Sequence, residues 1–220
     1  PDHFLVSTLD EVKVRDLGIE SSIYRVPAWT PDGTSITVAS GLDSSGVVLY
    51  TTDIRADQLD SVQPIASLRP FSTFLWSPRG DHLAVGRAAD VITYQGSSFI
   101  VYDSLAFVPQ DEEAESWSIN DNILAYFWSP DGGRLAYITL SDTPGTLRWK
   151  IVDLNSRDTW RLVDFVPSRE QLTMFEFFDQ YYYSHSLWSP DSAFLVFSGN
   201  IRGEAASASV GAHPGHTDPH

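Results

Sequence analysis

One short pattern recurs four times along the chain, and it constrains the fold more than any other feature. The copies are Trp29-Thr30-Pro31-Asp32-Gly33, Trp76-Ser77-Pro78-Arg79-Gly80, Trp128-Ser129-Pro130-Asp131-Gly132 and Trp188-Ser189-Pro190-Asp191-Ser192. Each precedes a short apolar run, at 36–38, 83–85, 135–138 and 194–197. Internal repeats are read first, because a missed repeat misassigns the whole architecture.

The local chemistry of the motif is strand, tight turn, strand. Ser or Thr opens the turn and can hydrogen-bond the backbone, Pro arrives with φ already set, Asp suits the next position and Gly relieves the exit. After the turn, apolar residues alternate with small or polar ones, as in a half-buried strand. Ahead of it lie aromatic and β-branched stretches at 23–26, 71–75, 123–127 and 181–187. Such residues favour strands. Trp at the strand end is a wide, flat body suited to packing between stacked sheets, provided its N–H finds a partner. All four tryptophans are therefore expected to be buried at contacts between units.

The tryptophans stand 47, 52 and 60 residues apart. A period of about 40–50 residues with several short strands per unit is that of a β-propeller blade. A helical repeat of this length would show a 3.6-residue apolar period, and no long segment does. The expected fold is all-β, a propeller of four-stranded antiparallel blades with about four blades present. The boundaries read as an outer half-blade at 1–20 and blades at 21–68, 69–118, 119–164 and 165–220, the last incomplete at its C-terminal end. Within them, strands are expected near 4–9 and 12–17, then 23–29, 34–40, 46–53 and 62–67. The second blade should add 92–94 and 99–102 to its inner pair. The third holds 123–128, 134–139, 147–153 and 159–164, and 194–198 follows the fourth motif.

Turn, Trp and period together resemble the WD-like, PD40-like repeat of TolB-type β-propeller proteins, also found in the propellers of prolyl oligopeptidase-type peptidases. The resemblance covers about residues 23–199 and rests on Trp29, Pro31, Asp32, Trp76, Pro78, Trp128, Pro130, Asp131, Trp188, Pro190 and Asp191. Arg79 stands where the motif has Asp, and Ser192 where it has Gly. The resemblance implies a non-catalytic binding or scaffold module that takes a protein, peptide or glycan on one propeller face, in a periplasmic or other extracytoplasmic setting. It also implies larger rings, so the four motifs read as an arc of about six to eight blades rather than a closed ring of four. An enzymatic alternative stands beside it. The chain would then be the propeller portion of a prolyl oligopeptidase-type peptidase, or a metal-dependent lyase resembling the oligogalacturonate lyases.

Composition narrows the partners. Acidic residues number 29 against 14 basic, a net charge of −15. Such a surface repels phosphate backbones, so no nucleic-acid partner is expected. Cysteine is absent, which removes disulfides and thiolate metal sites while fitting either redox compartment. No apolar run reaches membrane-spanning length. The acidic stretch at 110–115 reads as a solvated loop.

One segment exceeds the repeat. Residues 165–187 hold seven aromatics and account for the longest spacing. Long loops in compact folds tend to be functional or disordered, and this aromatic content argues against disorder. Two readings stand: a hydrophobic plug over the ring, or a ligand platform built from Phe177, Phe178, Tyr181 and Tyr182, with Glu176, Asp179 and His185 as polar handles. The tail carries His213, His216, Asp218 and His220, but their spacing matches no defined metal motif, and a loop is expected there. No G-x-S-x-G elbow, Gly-rich phosphate loop or HExxH occurs. No catalytic residue, metal or cofactor is assigned.

Overall fold

The computed structural model describes residues 2–7, 13–20, 27–43, 46–54, 63–111, 113–181 and 186–201. Strands dominate. β1 (His3–Ser7) and β2 (Val14–Glu20) form an antiparallel pair that joins no other strand in a ladder among the described residues. β3 (Ala28–Trp29), β4 (Ser35–Asp43), β5 (Gly46–Asp53) and β6 (Gln63–Leu68) make a four-stranded antiparallel sheet in chain order. A second, eight-stranded sheet also runs in chain order. It holds β7 (Thr73–Trp76), β8 (His82–Tyr94), β9 (Ser97–Pro109) and β10 (Trp117–Trp128), then β11 (Arg134–Leu140), β12 (Leu147–Asp153), β13 (Thr159–Pro167) and β14 (Gly199–Ile201). Between β13 and β14 lie two short helices, α1 (Arg169–Glu176) and α2 (Phe178–Tyr181). None is long and apolar enough to cross a membrane.

The eight-stranded sheet is a four-strand ladder, β7 to β10, and a five-strand ladder, β10 to β14, sharing β10. Trp117 to Asn120 pair with β9 at Phe107 to Ser104, whereas Ala125 to Trp128 pair with β11 at Ile138 to Leu135. Register shifts on both sides of Ile123 mark the crossing. A bulge there bends and twists the strand, which lets one strand close one unit and open the next.

The second unit departs from the expected strands. Residues 92–94 and 99–102 are not separate outer strands; they are the far half of one long β8–β9 hairpin, paired from His82↔Pro109 to Tyr94↔Ser97. Its turn is Gln95-Gly96, with φ of 49° and 89°. Two consecutive positive φ angles match the right-handed strand twist, and the Gly makes the turn cheap. The fourth strand of this ladder is instead the start of β10. The hairpin tip reaches the next unit, where Tyr94 Oη donates to Gly145 O at 2.9 Å.

The fourth motif differs more. Residues 194–198 are not a strand: only Leu195 pairs, with Trp188, and the chain then joins β13 as β14, Phe165 opposite Ile201. Tyr181, expected to lead into a strand, ends a helix instead.

The motif turns share one hydrogen-bond pattern. Gly33, Gly80, Gly132 and Ser192 donate their N–H to the carbonyl three residues back, at 2.8–2.9 Å. The hydroxyls of Thr30, Ser129 and Ser189 donate to Asp32, Asp131 and Asp191. Those hydroxyls hold the three carboxyls below the ordinary carboxylate range. In the second motif Arg79 leaves the position without a carboxylate, and Ser77 Oγ finds Asp81 Oδ1 at 2.5 Å instead. The turns also pack in a row. A side chain at Gly132 would meet Arg79 Cγ at 3.1 Å, one at Gly80 would meet Pro31 Cδ at 3.4 Å, and Ser192 Oγ accepts from Asp131 N at 3.0 Å.

Trp76, Trp128 and Trp188 are 6%, 4% and 7% exposed, but Trp29 is 46% exposed, against the expectation that all four are buried. The main core lies between the two ladders of the large sheet, around Trp149, Tyr126, Phe107 and Phe165. A smaller cluster joins β1–β2 to the first sheet through Leu17, Ile19, Ile36 and Val38.

Candidate functional site

The aromatic insertion is built by α1 and α2. Ser168 caps α1, its Oγ accepting from Gln171 N at 3.2 Å. Ser168-x-x-Gln171 is a capping-box spacing, a helix-start signal present in the sequence of the insertion. Gln171 does not reach back to the cap. It is buried, and its Oε1 accepts from Ser198 N at 3.0 Å, tying the helix to the segment after the fourth motif. The Ser168 N–H donates to Ser198 O at 3.1 Å.

Apolar residues of the insertion divide into anchors and surface. Phe175 is fully buried and meets Trp149 edge-on at 5.6 Å between ring centroids. Phe178 is buried against Tyr126 at 4.9 Å and Tyr102 at 6.1 Å. Its ring is committed to the core, which removes it from the expected ligand platform. Phe177 and Tyr181 are exposed, and Asp179 is half-buried in α2. Tyr182 and His185 lie outside the described residues. One side of the helices is thus committed to the core, and the other faces solvent.

An open pocket of about 510 Å³ lies against that solvent side, lined by Glu170, Gln171, Thr173, Met174, Tyr181 and Ser198. A second, of about 490 Å³, sits between the first two motif turns, with Trp29, Pro31, Trp76 and Pro78 among its walls. A third, of about 140 Å³, separates Trp128 and Pro130 from Leu187 and Trp188.

Charged clusters elsewhere hold strands together. Asp164 accepts from Arg148 Nε at 2.7 Å and from Ser141 Oγ at 2.6 Å, and pairs with Arg161 at 3.0 Å. Arg148 holds the Asp164 carboxyl down at about 2, against the opposing effect of burial and with Ser141 adding to the pull. A carboxylate so saturated has no lone pair to spare for chemistry. Lys150 Nζ donates to Asp121 Oδ2 at 2.6 Å, and Tyr137 Oη donates to the same atom at 3.4 Å. Burial, then the Asp121 charge, pushes the Tyr137 phenol well above its ordinary value, so it stays neutral. Among the described residues no three His, Asp or Glu side chains converge as a metal site. The tail histidines lie outside those residues.

No protein-family model and no curated protein matches the chain. Among solved structures it is similar to oligogalacturonate lyase from Vibrio parahaemolyticus, at 11% identity and a TM-score of 0.36, over 86% of this chain and 62% of that one. It is similar to a prolyl endopeptidase at 15% identity and a TM-score of 0.32, over 74% of this chain and 32% of that one. TolB from Acinetobacter baumannii matches at 14% identity and a TM-score of 0.42, over 76% of this chain. The chain spans 39% of that protein's length. TolB-type proteins, whose repeat the Trp-Ser-Pro-Asp-Gly turns resemble, are thus among the structures to which this chain is similar.

Proposed function

We propose that the chain is a non-catalytic binding module of the β-propeller type, which takes a peptide or protein segment on the solvent side of α1 and α2. Its ladders are blades of one propeller, and its setting is extracytoplasmic, in keeping with the TolB-type resemblance. The observation that carries the reading is the division of labour within the insertion. Phe175 and Phe178 lock the helices into the core, while Phe177 and Tyr181 are exposed and Tyr181 and half-buried Met174 line a pocket of about 510 Å³. Rigid amphipathic rings and an adaptable thioether are the groups recognition surfaces use, because they supply contact area at low entropic cost. Glu170 and the net charge of −15 favour a partner with basic residues beside an apolar anchor. The peptidase and lyase alternatives rest on resemblance alone.

The test is a titration of basic-apolar peptides, chosen from an array, against the intact chain and its Tyr181→Ala and Met174→Ala variants. Binding that weakens roughly tenfold in either variant, with unchanged unfolding, supports the reading. Absence of peptide binding, or binding indifferent to both substitutions, overturns it. Glycans bound in place of peptides would move the module to the other ligand class.

A further inference from the structure

Met174 is the only methionine in a chain without cysteine, so it carries the one sulfur of this sequence. It stands on α1, three residues after Gln171 and therefore on the same side of the helix. The side chain is half-buried. Behind it lies the main core, and in front of it opens the pocket of about 510 Å³ that Thr173, Tyr181 and Ser198 also line.

One side of the sulfur is occupied. Gln171 Nε2 donates to Met174 Sδ at 3.4 Å, a hydrogen-bond distance for a sulfur acceptor. The other end of the amide fixes which way it points. Gln171 Oε1 accepts from Ser198 N at 3.0 Å, and an amide turned over would set one N–H against another. Ser198 is held in turn by Ser168, whose N–H donates to Ser198 O at 3.1 Å and whose Oγ lies 2.7 Å from Ser198 Oγ. Gln171 is 5% exposed, so its amide has no room to swing into water. A thioether sulfur has two lone pairs. Gln171 engages one, and the other is left to the open side.

We propose that Met174 is an oxidation site: a peroxide transfers oxygen to the pocket side of its sulfur, giving one sulfoxide epimer and altering the ligand surface. With hydrogen peroxide, the sulfur attacks one oxygen, and an S–O bond forms as the O–O bond breaks. The second oxygen leaves as water with both protons. Sulfur is oxidised by two electrons and the peroxide is reduced by the same two. The other lone pair is closed to attack, because an oxygen placed there would stand closer to Gln171 Nε2 than a hydrogen bond allows. The sulfoxide replaces an adaptable apolar wall beside Tyr181 with a polar one, so an apolar anchor is bound less well. The effect on binding rests on the function proposed above; the oxidation site does not.

The test adds hydrogen peroxide to the intact chain, folded or in urea, and then digests it. The peptide holding Met174 is read by mass and by the two methionine sulfoxide reductases, each specific for one epimer. The folded chain should gain one oxygen at Met174, and one reductase should remove roughly fivefold more of it than the other. The urea-unfolded chain should give both epimers in near-equal amounts. Gln171→Leu, checked for folding by urea titration, should move the folded chain toward that equal mixture. In the peptide titration, the oxidised chain should bind roughly tenfold more weakly. Met174→Leu should take up no oxygen, and its binding, at whatever level, should not respond to peroxide. Oxygen uptake only after unfolding, equal epimers from the folded chain, or peptide binding indifferent to the sulfoxide overturns the proposal. A chain that binds no peptide in either state overturns the function proposed above instead, and a single epimer then still establishes the oxidation site.

Discussion

The indole N–H of Trp188 donates to the carbonyl of Phe127 across 61 residues of sequence, at 3.1 Å. The ring fills the seam between two units while its polar atom is satisfied by the strand it covers. Without such a partner the buried N–H would cost about 1–3 kcal/mol. The tryptophan is therefore both wedge and staple.

Truncating the wedge should be expensive where it is covered and cheap where it is not. Trp128→Ala is expected to cost about 3–5 kcal/mol and Trp128→Phe about 1–2 kcal/mol. Trp29→Ala, at a half-exposed site, should cost under about 1 kcal/mol. Urea unfolding of the three variants checks the order.

Ser192 stands at the motif's glycine position with φ of 59°, and its Oγ accepts from Asp131 N. Ser192→Gly exchanges left-handed strain for a lost hydrogen bond, each worth about 1 kcal/mol, and should be nearly neutral. Ser192→Ala keeps the strain and loses the bond, so it should destabilise by about 1–2 kcal/mol. Thermal unfolding that ranks Ala above Gly would contradict this balance.

Asp164 has a carboxyl held at about 2 in the folded state, below its ordinary 3.8, and is only 6% exposed. A depressed folded value means the ionised form favours folding, so the contribution is complete above about pH 4 and disappears as pH falls toward 2. The shift corresponds to about 2 kcal/mol. Asp164→Asn should remove that part of the acid-side slope, measurable by urea unfolding at pH 7, 4 and 3, with the difference from wild type narrowing as the pH falls.

Trp149 is fully buried among Phe127, Phe165, Phe175 and Phe197, and its Nε1 lacks a partner among the described residues. Trp149→Phe loses ring volume but also relieves an unsatisfied N–H, and these oppose each other at about 1–3 kcal/mol each. Its net cost should fall below that of Trp128→Phe, whose N–H is paired. Chemical denaturation of the two variants side by side decides the point.

Neighbouring aromatics in the insertion should separate cleanly. Phe178→Ala opens the packing against Tyr126 and Tyr102 and should cost about 3–5 kcal/mol. Phe177→Ala, at the surface, should leave stability within about 0.5 kcal/mol and act only on peptide binding. Equal losses of stability would mean that the helical faces have been assigned wrongly.

The Thr/Ser-Pro turns, the hairpins they close and the β-rich character of the chain were readable in the sequence, because every bond that defines the turns links residues at most five apart. Ser129 finds Asp131 and Arg134 wherever the hairpin happens to sit. The cap of α1 is equally local, in Ser168 and Gln171. Residues related across units answered to other physics. Trp29 and Trp128 both precede a Thr/Ser-Pro-Asp-Gly turn, yet one is open and the other covered, because burial is conferred by the unit alongside. The long β8–β9 hairpin, its staple from Tyr94 to Gly145 and the return of β14 to β13 depend on which strand edges are free once the sheets have assembled. Of the candidate site, the sequence by itself supplied the aromatic segment. Only the tertiary structure decided that Phe178 faces inward and Tyr181 outward, since both belong to one short helix and the side of it that meets Tyr126 selects between them.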